Sequence, residues 1–245
     1  MELSAALLVT VNPQTKEILL TSIPRDAYVN LHSYNAMDKL THSGIYGIDE
    51  TVTTVEDWIG IEINYYVRAN FSMVVGLVDS IGGITVKSKF AFKSKVSEYT
   101  YVVGENKMDG MAALFFARER SAFEDEDEER VRNQQLVLKA ILNKMTRSEV
   151  ILTNYTDILN AVEGSMQTNM LQNEITALVK MQLKDMSKWT IKTVYIDGDD
   201  SMQGTYSMGP GRPLFVSTPK QESVEAAKKE IHAVMYPVKE KNEHE

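Results

Sequence analysis

Phe116-Ala117-Arg118-Glu119-Arg120-Ser121, an acidic run from Glu124 to Glu129, and then Arg130-Val131-Arg132-Asn133-Gln134-Gln135 form the stretch from which the rest of the chain can be read. Arg118 and Arg120 are two positions apart, so an extended Phe116 to Ser121 segment sends both guanidinium groups off one face, a fork aimed at an anion. Beyond it the spacing predicts a helix from about Asp127 to Met145, with Leu138, Ile141, Leu142 and Met145 turned to the core. Followed back toward the N-terminus, that stripe meets Gln134, Arg130 and Asp127 and becomes polar. Inward polar groups are costly without partners, so these three are expected to line something polar at the helix start. Free N–H groups at a helix N-terminus, with arginines beside them, make an anion site. The competing reading is a solvated, ion-paired face for Arg118-Glu119-Arg120 and a solvated loop for the acidic run. What speaks against it is the inward direction of Arg130 and Gln134.

The 245 residues, 43% hydrophobic and 24% charged, suffice for a full core. A net charge of -8 without a Lys/Arg-rich stretch argues against nucleic acid as the main partner. With no cysteine, disulfides, thiolate metal sites and a cysteine nucleophile are excluded. No run reaches the roughly eighteen apolar residues of a membrane span, and Met1-Glu2-Leu3-Ser4 lacks the basic start of a signal peptide.

Upstream, Ala5 to Val11 and Ile18 to Ile23 flank the turn residues Asn12-Pro13-Gln14-Thr15, which predicts a β-hairpin. Pro24 ends its second strand and puts Arg25-Asp26 at the exit, either as functional groups or as a local ion pair. Tyr28 to Gly47 reads as a long polar loop with a short helical piece at most, with His32 and His42 as ordinary loop histidines and no zinc site. Helices are expected from Asp49 to Ile59, from Ser72 to Ile81 and after Asp109, with strands at Tyr65 to Asn70 and Ile84 to Val86. Downstream, Val150 to Val162, Asn173 to Asp185 and Ser223 to Met235 read as helices. Trp189 to Ile196 and Phe215-Val216 read as strands, and Asp197-Gly198-Asp199-Asp200 and Gly209-Pro210-Gly211 as turns. No linker or repeat divides the chain. The expectation is a single α/β domain over residues 1–245, with a central mixed β-sheet flanked by helices on both faces and the arginine-bearing strand at or next to its centre.

Nucleotide-binding, dinucleotide-binding, zinc-protease and nucleophile-elbow motifs are absent. Several arginines converging on one place would suit a diphosphate better than a carboxylate. At this point four segments in order resemble the LytR-CpsA-Psr family: Ser22-Ile23-Pro24-Arg25-Asp26; Val78-Asp79-Ser80-Ile81-Gly82-Gly83-Ile84-Thr85-Val86; Ala117-Arg118-Glu119-Arg120; and Asp127 with Arg130, Asn133 and Gln134. The resemblance covers essentially the whole chain, and the run Asp38 to Gly47 looks most like the streptococcal, capsule-linked branch.

The resemblance implies an extracellular, membrane-anchored phosphotransferase of Gram-positive bacteria, acting at the outer face of the cytoplasmic membrane or in the cell wall. Its partners would be a polyprenyl diphosphate-linked glycopolymer, such as capsule or teichoic acid, and peptidoglycan. It carries over Arg25, Arg118, Arg120, Arg130 and Gln134 as diphosphate ligands, with Arg118, Arg120 and Asp127 as catalytic groups, and an apolar pocket between sheet and helices for the lipid tail. It also implies Mg²⁺ held by two aspartates. One would lie upstream of Met1, and the other falls on Ser4, with Glu2 where an arginine is expected, so weak or no metal binding is expected of this chain. The N-terminal anchor would lie upstream as well. The alternative is a non-catalytic polyprenyl-phosphate-binding regulator of envelope polymer synthesis.

Overall fold

The computed structural model describes residues 6–123, 126–146, 148–162, 164–185 and 187–237. In chain order its elements are β1 (Ala6–Asn12), β2 (Glu17–Ile23), β3 (Tyr28–Leu31), β4 (Ala36–Lys39), α1 (Leu40–Ser43), α2 (Ile48–Ile59) and β5 (Val67–Ala69). They continue with α3 (Phe71–Ser80), β6 (Ile84–Ser88), β7 (Phe92–Lys93), β8 (Thr100–Tyr101), β9 (Gly104–Met108), α4 (Gly110–Arg118), α5 (Glu126–Met145) and α6 (Ser148–Val162). The last are β10 (Met166–Thr168), α7 (Gln172–Asp185), β11 (Thr190–Tyr195), β12 (Gly198–Thr205), β13 (Gly209–Pro219) and α8 (Gln221–Met235). This α/β domain is built of two compact units, residues 1–64 with 190–245, and residues 65–189.

The first unit contains the mixed sheet, ordered β1-β2-β11, with β1 antiparallel and β11 parallel to β2. The expected hairpin forms because Asn12 Oδ1 accepts from the Gln14 and Thr15 N–H groups, at 2.9 and 3.2 Å, and closes the turn. β2 is central. Leu19 and Ile23 pack from one face with Val55 and Ile59 of α2 and with Val224, Ala227 and Ile231 of α8. Ile18, Leu20 and Ser22 point from the other face and are buried too, which is why β2 reads as a continuous apolar run. Asn12 Nδ2 donates to the Val234 carbonyl at 2.7 Å, satisfying one of the open acceptors at the end of α8. α2 ends at Gly60, whose left-handed φ of 75° lets its N–H reach Glu56 O.

Two expectations fail here. Most of Tyr28 to Gly47 is not a loop: it folds as the β3–β4 hairpin, and the short helical piece that the reading allowed is α1. Its polar side chains hid the alternation, because Asp38, Thr41, His42 and Ser43 are buried and hydrogen-bonded. Likewise, β12 and β13 pair as a long hairpin where turns and one short strand were expected. Their strands carry polar and glycine residues that pattern alone reads as loop.

The second unit is mostly helical. α3, α4, α5 and β6 enclose an apolar core of Val78, Ile81, Ile84, Val86, Ala113, Phe116, Val137 and Ile141. An aromatic cluster extends it, with Phe92 at 4.8 Å from Tyr101 and 5.5 Å from Phe116. Tyr101 Oη donates to Ala112 O at 2.8 Å, and burial pushes its phenol pKa upward. The extended reading of Phe116 to Ser121 is wrong: Phe116 to Arg118 complete α4, and the segment forms no strand. Phe116, fully buried, makes this segment helical by packing.

Gly110, at the start of α4, lies against α3: a Cβ there would meet Val75 O at 2.3 Å. Gly110→Ala should destabilise the protein by about 1–3 kcal/mol. Gly211→Ala, where a Cβ meets nothing within 4 Å, should change stability by less than about 0.5 kcal/mol. Urea midpoints of the two variants would check this.

Candidate functional site

In the second unit α4, which ends at Arg118, packs on α5, which carries Arg130 and Arg132. Asp109 starts α4 by accepting from Ala112 N–H at 2.8 Å. The helix stops at Arg118 because Glu119 turns extended and inward. Glu119 is 1% exposed; its Oε2 accepts from Lys95 N–H at 2.8 Å and its Oε1 from Arg120 N–H at 3.2 Å. With Glu119 pinned, Arg118 is left exposed on one side of it and Arg120 half-buried on the other. The Arg118 guanidinium lies 4.6 Å from the centroid of Phe71, the first residue of α3. Such a stack is worth about 0.5–1 kcal/mol at an exposed site and holds the guanidinium plane.

On α5 the inward line is Arg130, Asn133, Val137 and Ile141, each 7% exposed or less. It passes one residue away from the expected Gln134 and Leu138, both half-buried. Arg130 therefore points inward as expected, Gln134 stands beside the line, and Asn133 takes the place that spacing assigned to Gln134. Asn133 Nδ2 is buried and makes no hydrogen bond among the described residues. Leaving a donor so costs about 1–3 kcal/mol. Glu129, also buried, accepts from Arg132. The side chain of Asp127 lies outside the described residues, as do Glu2 and Ser4. Val137 and Ile141, four apart, were the signal that would have found Asn133.

Arg25 belongs to the first unit. Its Nε donates to Asp26 Oδ2 at 3.1 Å, and Lys39 Nζ donates to Asp26 Oδ1 at 2.9 Å. This is the local ion pair that the strand exit allowed.

Sequence reading missed a buried constellation in the same unit. Asp38 is 0% exposed, and its carboxylate takes hydrogen bonds from the Lys39 N–H at 2.7 Å and the Ser207 N–H at 2.8 Å. It also pairs with His42 Nδ1 at 2.6 Å, and that nitrogen lies 2.8 Å from Ser207 Oγ. Asp38 and His42, four apart across the start of a helix, were the available signal. His32 is exposed, and its Nδ1 lies 2.6 Å from Asp57, whose carboxylate raises the imidazole pKa. Among the described residues no group of three or more Asp, Glu or His side chains converges as metal ligands. None of their helices is long and apolar enough to cross a membrane.

The model of the LytR_cpsA_psr family matches residues 4–230 of this chain. A polyisoprenyl-teichoic acid–peptidoglycan teichoic acid transferase, TagU of Bacillus licheniformis, is 35% identical over 162 residues, 66% of this chain and 52% of the relative. The TagU of Bacillus subtilis is 36% identical over the same spans. The chain thus covers about half the length of these curated relatives. Among solved structures, the crystal structure of B. subtilis TagV superposes with a TM-score of 0.77 at 28% identity, covering 96% of this chain and 89% of that one. TagT bound to LI-WTA superposes at 0.74 and 25% identity, covering 95% and 85%.

Asp38→Ala should destabilise the protein by about 3 kcal/mol or more, since it strips a buried ionisable cluster of one partner; a urea titration measures it. For His32 the raised pKa means that its pairing with Asp57 stabilises below the ordinary histidine value. That contribution is lost as pH rises through the raised one. In an NMR titration Asp57→Asn should lower the His32 midpoint.

Proposed function

The chain belongs to the LytR_cpsA_psr family, and on that premise we propose that it transfers a glycopolymer from a polyprenyl diphosphate carrier to peptidoglycan. The observation that carries this reading is the buried polar end of α5. There Asn133 Nδ2 makes no hydrogen bond one helical turn from buried Arg130, on the helix that packs against α4 with its terminal Arg118. A donor kept dry without an acceptor, next to guanidinium groups, suits a ligand rich in anionic oxygens.

In a phosphotransfer of this kind an acceptor hydroxyl attacks the sugar-side phosphorus. The P–O bond to the lipid-side phosphate breaks, and polyprenyl phosphate leaves with the electron pair. Arg118, Arg120 and Arg130 bind the diphosphate and neutralise the charge that builds on the leaving oxygen, which is most of what such a reaction asks of a protein. Gln134 and Asn133 add neutral donors, and Asp127 takes the proton of the acceptor hydroxyl or orients Arg130. Arg25 enters this reading on the resemblance alone. Mg²⁺, implied by the family, needs carboxylate oxygens, and no set of three converges among the described residues.

The polymer is a wall glycopolymer of the teichoic acid or capsule type; the relatives named as teichoic acid transferases support the former. The lipid tail takes the apolar surface that the helices of the second unit offer. In the second unit, α3, α6 and α7 carry apolar side chains that are far from fully buried, among them Phe71 at 46%, Leu152 at 63% and Leu178 at 44% exposure. Such a protein works at the outer face of the membrane or in the wall of a Gram-positive cell.

Native mass spectrometry with added polyprenyl diphosphate tests the binding. Arg118→Ala and Arg130→Ala should each weaken it roughly ten- to a hundredfold, the loss of one charged hydrogen-bonding group. An unchanged affinity in both variants would sink the reading. Retained binding with no transfer to peptidoglycan would leave the regulator.

A further inference from the structure

Three tyrosines of the first unit stand together on its surface. Tyr34 sits in the β3–β4 turn, Tyr46 between α1 and α2, and Tyr206 in the β12–β13 turn. Their ring centroids are 4.5 Å (Tyr34 to Tyr46), 4.9 Å (Tyr34 to Tyr206) and 6.2 Å (Tyr46 to Tyr206) apart. Tyr34 is 38% and Tyr206 48% exposed, and the neighbouring Ile45 and Met208 are 54% and 44% exposed. Apolar surface left in water on three separate turns is unfavourable and needs a reason.

The turns are also held still. Tyr206 N–H donates to Met37 O at 3.0 Å, and Tyr46 N–H to Ser43 O at 3.0 Å. Asn35, in the left-handed region at φ 45°, donates its N–H to Leu31 O at 2.9 Å. Next to Tyr206, Ser207 is tied through N–H and hydroxyl to the buried Asp38–His42 pair. A fully buried carboxylate is thus spent on fixing a turn whose tip is an exposed aromatic ring. Preorganised aromatic rings of this kind are binding surfaces, because ordering them at the moment of binding would cost affinity.

We infer that the Tyr34–Tyr46–Tyr206 patch is where the acceptor lies: an uncharged N-acetylhexosamine glycan strand, stacked by its C–H faces on the rings and hydrogen-bonded to the phenols. This rests on the transfer reading above, which requires a glycan acceptor besides the lipid-linked donor. Charge decides between the two carbohydrates. No lysine or arginine among the described residues stacks on these rings. The phenol of Tyr46 is pushed upward by burial and by the nearby carboxylates Asp38 and Glu50. A polyphosphate chain would meet the field of these carboxylates without a lysine or arginine stacked on the rings, whereas a neutral glycan meets rings and hydroxyls.

The test is a calorimetric titration of the full chain with the β-1,4-linked hexamer of N-acetylglucosamine, and separately with a glycerol phosphate oligomer. Polyprenyl diphosphate binding is followed in parallel by native mass spectrometry. Tyr34→Ala and Tyr206→Ala should weaken hexamer binding about tenfold or more, and Tyr206→Phe, which keeps the ring, should stay within about threefold. Lipid binding should be unchanged in all three. Circular dichroism verifies that each variant is folded. Absent hexamer binding, equal binding by wild type and alanine variants, preferential binding of the phosphate oligomer, or a dimer that Tyr206→Ala dissolves would each overturn the inference. A wild type that binds hexamer through the tyrosines but no lipid would instead overturn the transfer reading and leave the patch a glycan surface.

Discussion

A carboxylate taken out of water must be given hydrogen bonds or it unfolds what surrounds it. Among the described residues each compact unit contains one that is almost fully buried, Glu119 at 1% and Asp38 at 0% exposure, and the chain around it is fixed by its hydrogen bonds. Glu119 ends α4 by turning inward to two backbone N–H groups, which sets the directions of the arginines on either side. Asp38 gathers Lys39, His42 and Ser207 and thereby joins β4 and α1 to the distant β12–β13 turn. Each fixes the direction of the chain and side chains around it.

The arginines divide by environment. Arg118 is exposed and stacked on Phe71, a geometry that keeps its fork open to a ligand. Arg130 is buried on the inward face of α5, where a guanidinium is most effective because less water screens it. Arg25 is engaged with Asp26, which also takes Lys39. Three arginines that look alike in the sequence therefore occupy three different environments.

Much of the framework was legible because local chemistry and packing agree there. The Asn12-Pro13-Gln14-Thr15 turn, the Gly60 stop after α2, the strand β11 and the closing helix α8 all read correctly. Reading failed where burial and polarity coincide. The β3–β4 hairpin and α1 bury Asp38, Thr41, His42 and Ser43, so their pattern imitates a loop. The Phe116 to Ser121 segment failed for the opposite reason: its two-residue arginine spacing suits a strand, but Phe116 belongs to a helical core.

The sequence by itself determined the family, the α/β composition and the set of residues from which an anion site can be built, since these depend on residue types and their order. The tertiary structure decided which of them face inward. On a helix, adjacent residues differ by about 100°, so a stripe drawn through Leu138 selects Gln134, while one through Val137 selects Asn133. Packing of α5 against α4 and β6 chose the second. It likewise assembled Tyr34, Tyr46 and Tyr206 from three turns far apart in the chain. No local pattern encodes such a meeting, because the contacts that create it form only when the hairpins and α1 are packed.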